Sequence, residues 1–196
     1  MLLLAPTLLA LGVALLQGGS LAYLAHLPLR GAPLMLLALA LQIVLYLPGV
    51  RTSVLVASHG GTIYVATLAA VLAAALVNWR LGLTLRLAAL GLALNVLVIA
   101  ANGGHMPTNG PAMRAVRGEA TVRAIVNRHL YGNTLLSTPA TRFVALSDVI
   151  PVPFPPGQGN VYSVGDIILA IGVAGLAYKA TRHPYVADGG NFCPGR

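Results

Sequence analysis

Asp166 is the residue whose type and position carry the most chemistry. It stands at the head of an uncharged stretch, residues 167–178, and comes directly after Ser163-Val164-Gly165. That order is the S-x-x-D form of a capping box. The serine hydroxyl and the carboxylate satisfy the first N–H groups of a helix, and the negative charge faces the positive end of its dipole. The other reading is a carboxylate at membrane depth that binds a cation, a proton or a polar headgroup, because ionised groups there are costly unless paired or used. Arg142, His105 and His59 are its candidate partners. Asn95 lies inside a long apolar stretch, with Gly91 four residues before it and Asn102 seven after, so the three share one helical stripe. An amide so placed bonds a neighbouring helix or contacts a ligand, and Gln42 has the same two readings.

Few other groups can do acid–base work. Glu119, Asp148, Asp166 and Asp188 are the only carboxylates, and Asp148 with Asp166 is the pairing to examine for hydrolysis. His105 and Arg142 complete the weak catalytic candidates. No H-E-x-x-H, C-x-x-C, G-x-S-x-G or Walker sequence occurs, and no convincing dinucleotide fingerprint. The histidines lack zinc-site spacing with another ligand. Neither a metal nor a cofactor is expected.

The elements that position these residues are set by composition. Of the 196 residues, 57% are hydrophobic and 8% charged, and mean hydropathy is +0.82. A soluble domain carries about 25% charged residues to wet its surface. This chain has a third of that, so its solvent is largely lipid. Residues 1–29, 31–50, 52–79 and 87–113 contain no Asp, Glu, Lys or Arg, and crossing a bilayer takes roughly 20 apolar helical residues. The net charge of +8 belongs to short loops that meet acidic headgroups, and nucleic acid is excluded as a partner. The single Cys193 rules out an intrachain disulfide framework. The first segment has no basic n-region and no A-x-A site, so a retained helix is preferred to a signal peptide.

An all-α membrane protein with a bundle of about five transmembrane helices is therefore expected. They fall near residues 2–16, 33–47, 62–77, 83–101 and 161–178, in one domain spanning 1–182, with a flexible tail at 183–196. Residues 21–27 read as an interfacial segment. Ala66, Ala70 and Ala74 form a small-residue stripe suited to close packing in lipid. Arg30, Arg80, Arg86, Lys179 and Arg182 share one side of this topology, which makes that side cytoplasmic and the N-terminus external in a multi-pass cell-membrane protein. The long loop, 102–160, is then extracytoplasmic. Gly103-Gly104 permits a sharp exit at positive φ, and Pro107 stiffens the chain beyond that exit. Gly110-Pro111 opens a helix that closes at Gly132, weakly amphipathic through Met113, Val116, Ala120 and Ala124. It lies on the membrane surface or is simply solvated. Thr138-Pro139 has the form of a second helix start. Pro151 begins a proline run that must be extended. The loop reads as a cap held at both feet.

The motifs at the loop boundaries resemble those of the DUF5317 family, bacterial multi-span membrane proteins of uncharacterised function. They are Ala101-Asn102-Gly103-Gly104-His105-Met106-Pro107, Asp148-Val149-Ile150-Pro151 and Ser163-Val164-Gly165-Asp166, together with Gly18-Gly19-Ser20-Leu21 and Leu29-Arg30-Gly31. The resemblance implies topology and location, and no activity. On the residues themselves, a non-enzymatic accessory, scaffold or hydrophobic-ligand-binding protein is expected, in contact with the lipid bilayer and another membrane protein. The alternatives are a transporter or ion-coupled permease component using Asp166, and an enzyme acting on lipid headgroups at the outer face.

Overall fold

A computed structural model describes residues 3–51, 53–127, 133–154, 159–186 and 191–192. The chain is mostly helical. Helix α1 (Leu4–Leu16) holds Pro6 in its first turn and stops before Gly18, which takes φ +84°. A short α2 (Leu21–Ala25) comes next, capped by the Ser20 hydroxyl, which accepts from Ala22 N–H at 3.2 Å. Then come α3 (Ala32–Leu45), α4 (Pro48–Arg51), α5 (Val54–Val77) and α6 (Leu83–Ala101). Beyond the loop, α9 (Val164–Arg182) closes the helical part.

Among the described residues three helices, α5, α6 and α9, are long and apolar enough to cross a membrane. That is fewer than the five expected. Helices α1 and α3 have 13 and 14 residues, about 20 Å at 1.5 Å per residue against a hydrocarbon core of ~30 Å. The breaks are local: Gly18 ends one, and Gly31 at φ +78° and the turn before Pro48 bound the other. Helix α5 begins at Val54 rather than near Thr62. Ser53 caps it, its hydroxyl accepting from Val56 N–H at 3.4 Å, and the helix runs through Gly60-Gly61.

The principal packing partners form a row, α1–α9–α6–α5–α3. The α6–α9 contact is the closest, and glycine makes it so. A Cβ on Gly91 would lie 2.4 Å from the Leu169 nitrogen, and one on Gly172 would lie 2.3 Å from the Ala88 nitrogen. Small residues are what let helix backbones meet where no hydrophobic effect drives association. The alanine stripe of α5 is not such a seam along its length: Ala74 is buried, but Ala66 is exposed.

The loop holds more structure than its sequence announced. Helix α7 (Gly110–Arg117) and helix α8 (Glu119–Val126) replace one continuous helix, because Gly118 turns the chain at φ +80°. Asn109 caps α7, its Oδ1 accepting from Ala112 N–H at 2.8 Å. The apolar side of the pair faces inward, where Met113, Val122 and Ile125 pack with Val161 and Leu136. That side is therefore packed within the loop itself. Strand β1 (Met106–Thr108) pairs in parallel with β2 (Thr134–Leu136), and β3 (Ile150–Val152) pairs antiparallel with β4 (Asn160–Tyr162), Pro151 opposite Val161. Thr138-Pro139 opens a turn instead of a helix, with Thr138 N–H donating to the Thr141 hydroxyl at 2.8 Å. Phe143 then takes a left-handed conformation and leads into a single 3₁₀ turn at Val144–Leu146. In the tail, β5 (Tyr185–Val186) pairs with β6 (Asn191–Phe192). Arg128, His129, Gly132, Asp188 and Cys193 lie outside the described residues.

Candidate functional site

The N-terminus of α9 is where loop and helices meet. Ser163 is fully buried and forms the complete capping box: its hydroxyl accepts from Asp166 N–H at 2.9 Å, and its own N–H donates to Asp166 Oδ2 at 3.2 Å. The second carboxylate oxygen is also engaged. Asn95 Nδ2 donates to Asp166 Oδ1 at 2.7 Å, and Asn95 Oδ1 accepts from the Ser163 hydroxyl at 2.9 Å. Gly165 makes this fit possible, since a Cβ there would sit 2.1 Å from Asn95 Oδ1. Helices α6 and α9 are thus joined by a closed ring of hydrogen bonds. Asn95 precedes the end of α6 by six residues, which places the ring roughly 9 Å below that end.

Asp148 descends to the same region from the loop. Its N–H donates to the Pro107 carbonyl at 2.9 Å, and its carbonyl accepts from Asn109 N–H at 2.8 Å. The Thr108 hydroxyl, fully buried, donates to Asp148 Oδ2 at 3.1 Å. Asp148 Oδ1 is buried with no hydrogen-bond partner among the described residues. Burial pushes this carboxyl up to about 7 from an ordinary 3.8; the charge of Asp166 adds to the rise, and the Thr108 hydrogen bond opposes it. Tyr64 of α5 lies within electrostatic range of both carboxylates and packs against Val98, Ile99 and Met106. Asp148 can therefore hold a proton at neutral pH, whereas Asp166 has both oxygens committed to fixing α9.

The other nominated residues sit elsewhere. Asn102 caps the end of α6, donating to the Val98 carbonyl at 2.8 Å and to the Arg142 carbonyl at 3.0 Å, while its Oδ1 accepts from Arg142 N–H at 3.0 Å. The Arg142 side chain is exposed at the rim, apart from the carboxylates. His105 and Pro107 line a shallow open groove with Asn102, Leu135, Thr138 and Thr141. Gly103 and Gly104 take φ +68° and +86°, and a Cβ on Gly104 would fall 2.3 Å from the Gly61 Cα. The loop foot and α5 therefore touch backbone to backbone. Gln42 bonds across helices, Nε2 to the Thr67 hydroxyl at 3.0 Å, far in sequence from the ring. Among the described residues, no three His, Cys, Asp or Glu side chains converge to hold a metal.

Two participants had no signal that singled them out. Thr108 and Tyr64 read as ordinary loop and helix residues. Asn78 repeats the Asn102 arrangement at the C-terminal end of α5: it accepts from Arg30 N–H at 2.8 Å and donates to the Arg30 and Ala74 carbonyls, each at 2.7 Å. An asparagine immediately after a long apolar helix was the available clue in both cases.

Neither a curated protein nor a solved structure matches the chain. A model described as a family of unknown function, DUF5317, matches residues 26–178. That span contains all the boundary motifs except the first Gly-Gly, and both loop feet and the carboxylates within them: the chain belongs to the DUF5317 family.

Proposed function

We propose that this chain is an integral protein of the cell membrane that acts as a non-enzymatic scaffold or accessory subunit. The observation that carries this reading is the open row of helices. Its end members, α1 and α3, each have one principal packing partner, and both are studded with exposed apolar side chains such as Leu8, Leu9, Leu36, Leu37 and Ile43. Lipid or a second membrane protein is the natural cover for such flanks. Packed alongside α9 and α5, the two shorter helices share their depth, which favours five membrane-embedded helices. The polar groups near the loop boundary are largely consumed by internal hydrogen bonds, as expected of a support and not of a catalyst. Arg30, bonded to Asn78, gathers with Arg80 and Arg86 on the side of the helices opposite the loop. The ends of α5 and α9 place Lys179 and Arg182 there too, and this collection supports a cytoplasmic C-terminus and an external loop.

Crosslinking in native membranes, then mild-detergent purification, tests the reading. A stoichiometric partner, or a defined homo-oligomer through α1 or α3, is the expected result. A lone monomer that turns over substrate defeats it.

One observation favours a second reading, a proton- or ion-coupled permease component: the unpartnered Oδ1 of Asp148 beside Asp166. Flux through proteoliposomes, abolished by Asp148→Asn, is its signature. Absence of flux, or flux indifferent to that change, removes it.

A further inference from the structure

We infer that residues 142–144 of the loop form an interfacial membrane anchor, with Phe143 and Val144 seated among acyl chains and Arg142 at the level of the lipid phosphates. The inference rests on the membrane-embedded reading above and adds a lipid contact that none of the spanning helices makes.

Depth comes first. Helix α6 has 19 residues, about 28 Å, close to the ~30 Å of the hydrocarbon core. Its C-cap, Asn102, must then stand at the edge of the hydrocarbon. The two hydrogen bonds of 3.0 Å between Asn102 and the Arg142 backbone hold residue 142 at that same edge. The segment next to it cannot rise far into water.

Its side chains suit that depth. Phe143 and Val144 are 49% and 43% exposed, and neither belongs to a packed apolar cluster of the described residues. Phe143 is also the only non-glycine residue with positive φ, +56°, among the described residues. A bulky side chain there costs roughly 1–2 kcal/mol, and core packing does not repay it, because half the ring is open. Apolar side chains such as Phe beside an arginine suit an interfacial seat, the apolar groups entering the acyl boundary and the charge staying among the headgroups. The charges agree. Glu119 is engaged by Arg114 and Arg123, Asp148 is tied down at the loop foot, and Arg142 has no ion-pair partner among the described residues. A phosphate is the anion within its reach once the helix end lies at the interface.

Tryptophan fluorescence in proteoliposomes of phosphatidylcholine and phosphatidylglycerol tests this. The one native tryptophan, Trp79, is replaced by Phe, and Phe143→Trp is added as the sole reporter. The expected result is blue-shifted emission, strong loss in lipids brominated near the headgroup, weaker loss in lipids brominated near the chain ends, and little quenching by acrylamide. Emission unaffected by either brominated lipid overturns the anchor, whether the ring is in water or under a protein partner. Val144→Trp in the same background repeats the reading if the first variant does not fold. Alkaline extraction of the same vesicles separates the two levels of failure. Protein washed off the membrane defeats the embedded reading itself; protein retained with an unquenched reporter defeats only the anchor.

Discussion

Asn102 grips the backbone of Arg142 from both sides, accepting its N–H and donating to its carbonyl, each at 3.0 Å. The grip joins the end of α6 to a residue 40 positions later, and so shuts the loop onto the helices. Asn102→Ala removes both bonds and leaves two backbone groups to find water. A loss of about 1–3 kcal/mol is expected, with faster proteolytic nicking near residues 138–146 while the helices stay intact. Unchanged nicking kinetics would show that the loop is held by packing alone.

The ring formed by Ser163, Asp166 and Asn95 makes a sharper prediction. Ser163→Ala costs about 1 kcal/mol as a lost N-cap. Because Asn95 and Asp166 bond directly at 2.7 Å, a double-mutant cycle on Asn95→Ala and Asp166→Asn should return a coupling of roughly 0.5–3 kcal/mol. Simple additivity in thermal unfolding would contradict the ring.

Glycine at the α6–α9 crossing has no substitute. Gly91→Ala drives a Cβ to 2.4 Å from the Leu169 backbone nitrogen, and overpacking of this kind costs about 1–3 kcal/mol or more. Gly12→Ala on α1 is the control, since nothing lies within 4 Å of its Cβ position. Helix propensity then favours alanine there by up to about 1 kcal/mol. Melting temperatures in one detergent should fall for the first variant and hold or rise for the second.

Asp148 ties stability to pH. Its folded value, about 7, lies above the ordinary 3.8, so the folded protein holds a proton that the unfolded chain has already released in that window. Stability must then fall as pH rises from about 4 to about 7, and level off above it. In Asp148→Asn the fall attributable to this group disappears. Melting temperature measured across that range checks the sign: a wild-type curve that climbs through the window, or one that the variant leaves unaltered, contradicts the assignment.

The amino-acid sequence by itself determined what is local. The apolar composition, the uncharged stretches that became α5, α6 and α9, and the Ser163–Asp166 cap were all legible, because each depends on neighbours within a few residues. The turn at Gly103-Gly104 was legible for the same reason. Tertiary structure alone decided what these features do together. Which polar side chain meets which depends on partners 71 positions apart for Asn95 and Asp166, and 40 apart for Thr108 and Asp148. The packing order of the helices was hidden because apolar faces of equal hydropathy are interchangeable in sequence. Only the placement of Gly91, Gly165 and Gly172 against specific backbone atoms selects α6 and α9 as the closest pair. The lengths of α1 and α3 were also beyond composition, since an apolar run sets where a helix can extend, and the glycine and proline turns set where it stops. Asp166 shows the division most plainly. Its capping role could be read along the chain. That its second oxygen is taken by Asn95 is decided by the packing of α9 on α6, and that Asp148 keeps an unpartnered oxygen among the described residues is decided by the fold of the loop.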